Sequence, residues 1–131
     1  SPSLNMLFGN IGDNNETIKK AVEFLLKYDD CFELRTIKPV TPYPGSPLYY
    51  TAIERGLIKD CEDFYENKHL NSDLLTINFT DLSDDEFHNS MLNANTKLIT
   101  HYHNSQMLST IESAKRLYLE QDSKFRGFRQ R

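Results

Sequence analysis

The stretch LNMLFGNIGDNNETIKKAVEFLLKYDDCFELRTIKP, residues 4–39, decides the fold class. Leu4 to Phe8 is a short apolar run closed by Gly9-Asn-Ile-Gly-Asp13, which predicts a buried strand and a glycine turn. Asp13 as N-cap with Glu16 three residues on is a capping-box arrangement. Ile18, Ala21, Val22 and Leu25 then recur on one helical face, so a helix is expected up to Tyr28-Asp-Asp30. From Cys31 to Lys38, β-branched and apolar residues alternate with Glu33 and Arg35 before Pro39, which predicts a second strand. Strand, capped helix and strand form a βαβ unit, whose strands run parallel, and the expected fold class is α/β.

Beyond this unit, Thr41-Pro-Tyr-Pro-Gly-Ser-Pro47 is a stiff loop. Its prolines fix φ, Gly45 accepts positive φ, and Ser46-Pro47 caps a short helix through Tyr50, Ile53 and Glu54 that Gly56 ends. Residues 59–82 have weak periodicity and read as an irregular connection, with one extended segment where Leu75, Ile77 and Phe79 alternate. At Leu82-Ser-Asp-Asp-Glu-Phe87, Ser83 and Glu86 form a capping box inside a Leu82–Phe87 hydrophobic staple. A long helix is expected from there, with Phe87, Met91, Ala94, Leu98 and Tyr102 as its apolar stripe. Leu108, Ile111, Ala114 and Tyr118 continue or follow it.

A chain of 131 residues supports one modest core. Its longest uninterrupted apolar runs, three residues as at positions 6–8 and 24–26, predict no membrane span and no signal-peptide core, so a soluble, cytoplasmic protein is expected. The charge is divided: residues 1–114 carry a net −8 and residues 115–131 a net +4. Tyr118, Phe125 and Phe128 lie among the cations of that tail, a composition that suits base stacking and equally a solvated helix end. The acidic body opposes a broad nucleic-acid footprint, and nucleic acid is not expected as a partner.

Candidate chemistry is sparse. Cys31 and Cys61 are too few for a thiolate metal site, and His101 and His103 point apart on a helix while His69 and His88 complete no set, so no metal site is expected. No nucleophile with a base is legible. Gly9 and Gly12 sit where a strand meets a capped helix, the place at which α/β proteins bring backbone to a ligand, although ordinary turn chemistry uses the same residues. Glu33, Arg35 and Ile37 share a strand face opposite Phe32 and Leu34. Either the charges face a ligand-binding lumen, or the strand is an edge and they pair in solvent.

The ordered string Phe8-Gly-Asn-Ile-Gly-Asp-Asn-Asn-Glu-Thr-Ile18, Thr41-Pro-Tyr-Pro-Gly-Ser-Pro-Leu-Tyr49, Gly56-Leu-Ile58 and Phe79-Thr-Asp-Leu-Ser83 resembles the C-terminal part of a radical S-adenosylmethionine (SAM) enzyme. It is most similar to the cobalamin-linked Fe-S oxidoreductases, a subgroup that includes Mg-protoporphyrin monomethyl ester cyclase-type proteins and methyltransferases. In that family a partial barrel binds SAM and a [4Fe-4S] cluster, and reductive cleavage gives a 5′-deoxyadenosyl radical; cobalamin serves some members. The resemblance implies a fragment of a partial (βα)6 TIM-type barrel: its last two βα units in residues 1–58, a connection over 59–82 and a helical extension with a basic tail over 83–131. It implies that Phe8, Gly9 and Gly12 lie beside the SAM adenine, with Ile11 where proline is usual and Asp13 where glutamate is usual. It adds Arg35 as a lumen-facing SAM contact and places Pro42, Tyr43 and Gly45 on a substrate-side loop. The cluster ligands of the family, CxxxCxxC, are matched by neither cysteine. A fragment without cluster or activity of its own is therefore expected, one that self-associates because unpaired strand edges and an apolar face are left uncovered, by strand pairing across a twofold axis or by exchanged elements. The competing reading is a stand-alone α/β module that binds protein or RNA.

Overall fold

The computed structural model describes residues 4–128; Arg129 and Arg131, two cations of the basic tail, lie outside the described residues. The element order is β1 (Met6–Phe8), α1 (Asn15–Tyr28), β2 (Ile37–Pro39), α2 (Pro47–Glu54), α3 (Cys61–Asp63), a π-helical turn (Phe64–Lys68) and α4 (Asp84–Leu119). β1 and β2 pair in parallel, with Met6 opposite Ile37, Leu7 opposite Lys38 and Phe8 opposite Pro39. The βαβ expectation of parallel strands around a helix is met at this smallest scale.

The barrel-fragment expectation is corrected. Helix makes up 53% of the structure, and among the described residues the sheet has two strands of three residues each. The sheet stops at β2 for a physical reason. The side-chain amide of Asn95 on α4 accepts the Ile37 N–H at 2.8 Å and donates to the Ile37 carbonyl at 3.0 Å, occupying the backbone groups that a further strand would need. Strand pairing between copies through this edge is closed as well.

The second strand is shorter than its alternation predicts. Asp29 and Asp30 accept the N–H groups of Cys31 and Phe32 in turns, Cys31 takes a left-handed φ of 57°, the chain bends at Phe32 and Glu33, and residues 34–36 do not join the ladder. The expected faces also invert, since Phe32 and Leu34 are exposed while Arg35 and Ile37 are buried. Pro39, read as the stop, is the last residue of the strand.

The α1 cap is displaced by one residue. Asn14 is the N-cap, its side chain accepting from Glu16 and Thr17, and Thr17 closes the box. Asp13 instead accepts the N–H groups of Gly9 and Asn10 at 3.0 and 2.9 Å, bracing the glycine turn. The short helix matches its reading throughout: Ser46 caps it, Pro47 starts it, and Gly56 at φ 72° ends it while Leu57 N–H reaches back to the Ala52 carbonyl. In residues 75–79 no strand forms, and Ile77 and Phe79 are buried beside α2.

Two apolar clusters result. Phe8, Ile37, the inner face of α1 (Ile18, Val22, Leu25) and the first half of α4 (Phe87, Met91, Ala94, Leu98) form the larger one. Tyr49, Ala52, Ile58, Phe64, Ile77 and Phe79 form the smaller one. Both helices of the larger cluster cover one face of the sheet, and Leu7 and Lys38 are exposed on the other.

Candidate functional site

The carboxyl ends of β1 and β2 lead into two adjacent loops, and the Val40 N–H donates to the Phe8 carbonyl at 2.8 Å, carrying the ladder to the point where they diverge. Crevices at this end of parallel strands are where open α/β sheets bind ligands.

The first loop, residues 9–13, is self-contained. Phe8 is buried, its ring stacked on Phe87 at 5.1 Å between centroids. Gly9 has φ 111°, and a Cβ there would meet the Phe87 ring at 2.9 Å, so packing against α4 already demands glycine. Gly12, at φ 88°, has open space around its missing side chain, and Ile11 beside it is exposed. Of the three residues read as SAM contacts here, Gly12 faces outward, whereas Phe8 and Gly9 are part of the core.

The second loop turns at Tyr43–Ser46, where the Ser46 N–H donates to the Tyr43 carbonyl at 3.0 Å and Gly45 has φ 95°. Pro42 is buried and anchors it. Tyr43 stands half-exposed, edge-on to Phe64 at 5.8 Å and to His69 at 5.3 Å; His69 stacks on Phe64 at 5.2 Å and its Nδ1 lies 3.2 Å from the Thr76 hydroxyl. Tyr43 is marked in the sequence by the prolines and glycine around it, whereas His69 stands there only as part of an incomplete metal set. Their separation of 26 residues has no local signature, and the π-helical turn that brings His69 back is invisible to periodicity.

On the open sheet face beside the second loop lies a depression of about 360 Å³ lined by Leu7, Lys38, Thr41, Tyr43 and Ser72, among others; no residue of the first loop lines it. Lys38 supplies its cation, 3.5 Å from Asp73. One ammonium beside hydroxyls and an apolar strand residue suits a small polar or anionic molecule.

Arg35 is not brought to this site. It precedes β2 and therefore lies at the amino end of the parallel pair. Its buried guanidinium is held by Asp29, by Asp30 at 3.1 Å and by Glu33 at 3.5 Å. Burial lowers its pKa, but the Asp30 and Asp29 carboxylates outweigh that and the net shift is upward. Neither cysteine joins the loops: Cys31 is buried at the end of α1 and Cys61 opens α3, its sulfur 3.4 Å from the Tyr49 hydroxyl. Among the described residues no group of three or more His, Cys, Asp or Glu side chains is arranged to hold a metal ion, and no helix is long and apolar enough to cross a membrane.

No protein-family model, no curated protein and no solved structure matches the chain.

Proposed function

We propose that the chain is part of a radical SAM iron-sulfur enzyme of the oxidoreductase, cyclase or methyltransferase type, working in the cytoplasm on SAM and a substrate. Its contribution is surface, not cluster ligation. The observation that supports this reading is the side-by-side exit of the glycine turn and the Thr41–Pro47 loop from two parallel strands, with the Lys38–Tyr43 depression beside the second loop. In this reading Gly12 and Ile11 offer the turn's outward face to the adenosyl group, while Tyr43 and Gly45 border the substrate. Cys31 and Cys61 do not fit the cluster: one thiol is buried at a helix end and the other faces a tyrosine hydroxyl. SAM cleavage would then be supplied by a cluster bound to other polypeptide, and no chemical step is assigned to this chain's residues.

The test is a titration of the isotopically labelled chain with S-adenosylhomocysteine, followed by amide NMR. Shifts concentrated at residues 9–13 and 40–47 are expected. Shifts elsewhere, or none at millimolar ligand, overturn the reading. A second reading, a module that binds other macromolecules, has one observation in its favour: the second half of α4 carries apolar residues on its outward side.

A further inference from the structure

On the helical side of the sheet, α1 and α4 enclose a groove between them. The Ser90 hydroxyl on α4 donates to the Asn15 side-chain oxygen at 2.7 Å, which ties the start of α1 to α4 and closes one end. Beyond that contact α4 presents Ala94, and its single methyl leaves space over Ile18 and Val22. The groove that remains has a volume of about 290 Å³ and is floored by Ile18, Val22, Leu26 and Ala94. Ile18, Val22 and Ala94 are buried members of the larger core and Leu26 packs against them. The floor is therefore fixed by core packing and does not depend on a surface loop. Sites between packed helices, apolar with a few polar groups at the rim, are a common kind of small-molecule site.

The rim is polar and carries an excess of positive charge. Lys19 and Glu23 stand one turn apart on α1, Asn93 and Lys97 one turn apart on α4, and all four are exposed. The ion pairs among the described residues join Arg35 to Asp29, Asp30 and Glu33, and Lys38 to Asp73, so Lys19, Glu23 and Lys97 enter none of them. Two ammonium groups against one carboxylate leave a net +1 at this rim, within a body whose residues 1–114 carry a net −8. Asn93 adds a neutral amide donor to the same rim.

Floor and rim together select the ligand. An apolar molecule leaves both ammonium groups unanswered, an apolar cation is repelled by them, and a purely polar anion gains nothing from the floor. A hydrocarbon bearing one carboxylate answers both parts. The groove has the volume of about ten water molecules at liquid density, which suits a ligand of about ten non-hydrogen atoms.

We propose that the α1–α4 groove binds a small amphipathic carboxylate, its hydrocarbon part on Ile18, Val22, Leu26 and Ala94 and its head between the Lys19 and Lys97 ammonium groups. The groove shares no residue with the Lys38–Tyr43 depression, so the proposal does not rest on the SAM reading.

The test is a titration of the full, isotopically labelled chain with sodium octanoate, followed by methyl and amide NMR. Saturable shifts at Ile18, Val22, Leu26 and Ala94 are expected, with a dissociation constant of about 0.1–1 mM. At the same signals, octylammonium, the same chain with a cationic head, is expected to bind at least about tenfold more weakly, and acetate, a head without the chain, not to saturate. Lys19→Glu and Lys97→Glu, both at exposed positions, are each expected to weaken octanoate binding about fivefold, and Glu23→Gln to tighten it about twofold. Lys20→Glu makes the same charge change on α1 outside the groove and is expected to alter binding less than about twofold. Circular dichroism checks that the variants stay folded. No saturable shift at about 10 mM octanoate overturns the proposal, as do shifts centred away from the groove. So does octylammonium binding as tight as that of octanoate, or a loss with Lys20→Glu equal to that with Lys97→Glu, because the rim lysines would then only lay their stems over an apolar surface.

Discussion

Asn95 acts toward Ile37 as a neighbouring strand would: one side-chain amide accepts the Ile37 N–H and donates to its carbonyl. Consecutive residues of a strand point their backbone groups to opposite edges, so this one contact across 58 residues closes the free edge of β2 and ties α4 to the sheet. It is why the sheet does not continue beyond β2.

Asn95→Ala therefore leaves two backbone groups without partners. The expected loss of unfolding free energy is about 2–4 kcal/mol, read from urea denaturation. Asn93→Ala, at an exposed position two residues away on the same helix, is expected to change stability by less than about 0.5 kcal/mol. Equal effects from the two variants would show that the edge contact carries no stability.

Gly9→Ala combines a left-handed φ of 111° with a Cβ at 2.9 Å from the Phe87 ring, and a cost of about 2–4 kcal/mol is expected. Gly12→Ala meets no atom and bears the φ penalty alone, about 1 kcal/mol. Thermal unfolding of both variants checks the order. Phe87→Leu in the Gly9→Ala background is expected to cost less than the two single changes added together, because the smaller side chain relieves the clash.

The parts of the fold that were legible in the sequence are those whose hydrogen bonds close within a few residues. Ser46-Pro47, Gly56 and the Ser83–Glu86 box sit in the structure as read. At Asp13-Asn-Asn15 three residues of cap-forming type stand in a row, and local spacing does not say which of them caps; Asp13 is taken by the Gly9 and Asn10 N–H groups, which leaves Asn14 for the helix. The Cys31–Lys38 strand fails on competition, since the Asp29 and Asp30 side chains turn the backbone and draw Arg35 inward against the alternation. At the candidate site, the Tyr43 loop was visible through its Pro and Gly residues. His69 was not, because its place beside Tyr43 depends on the smaller core that Phe64, Ile77 and Phe79 assemble from distant positions.

Arg35 and Asp29 are both buried, and each compensates the other's charge. Arg35→Met is expected to destabilise the fold strongly by leaving the Asp29 carboxylate without its closest cation. Asp29→Asn reduces the demand for that cation, so Arg35→Met/Asp29→Asn is expected to lose less than the sum of the single losses in a urea-denaturation cycle. Additive losses would mean that Arg35 contributes packing alone.

The Tyr49 hydroxyl lies against the Cys61 sulfur, and its pKa is pushed up to about 12, chiefly by that hydrogen bond, with burial next. The unfolded value is about 10. Because the folded pKa is the higher one, the stabilisation is complete below about pH 10 and is lost as the pH rises through about 12. In an ultraviolet titration Tyr49 is expected to ionise late among the seven tyrosines. Cys61→Ala removes the largest cause of the shift, so the late step is expected to move toward lower pH with little change in the neutral-pH fold, since Cys61 is exposed. Cys61 is also expected to react with iodoacetamide before buried Cys31, and alkylation should reproduce the Cys61→Ala titration. A late step that stays in place after both changes would assign the shift to burial of Tyr49 and to the charges of Asp60 and Tyr50 beside it.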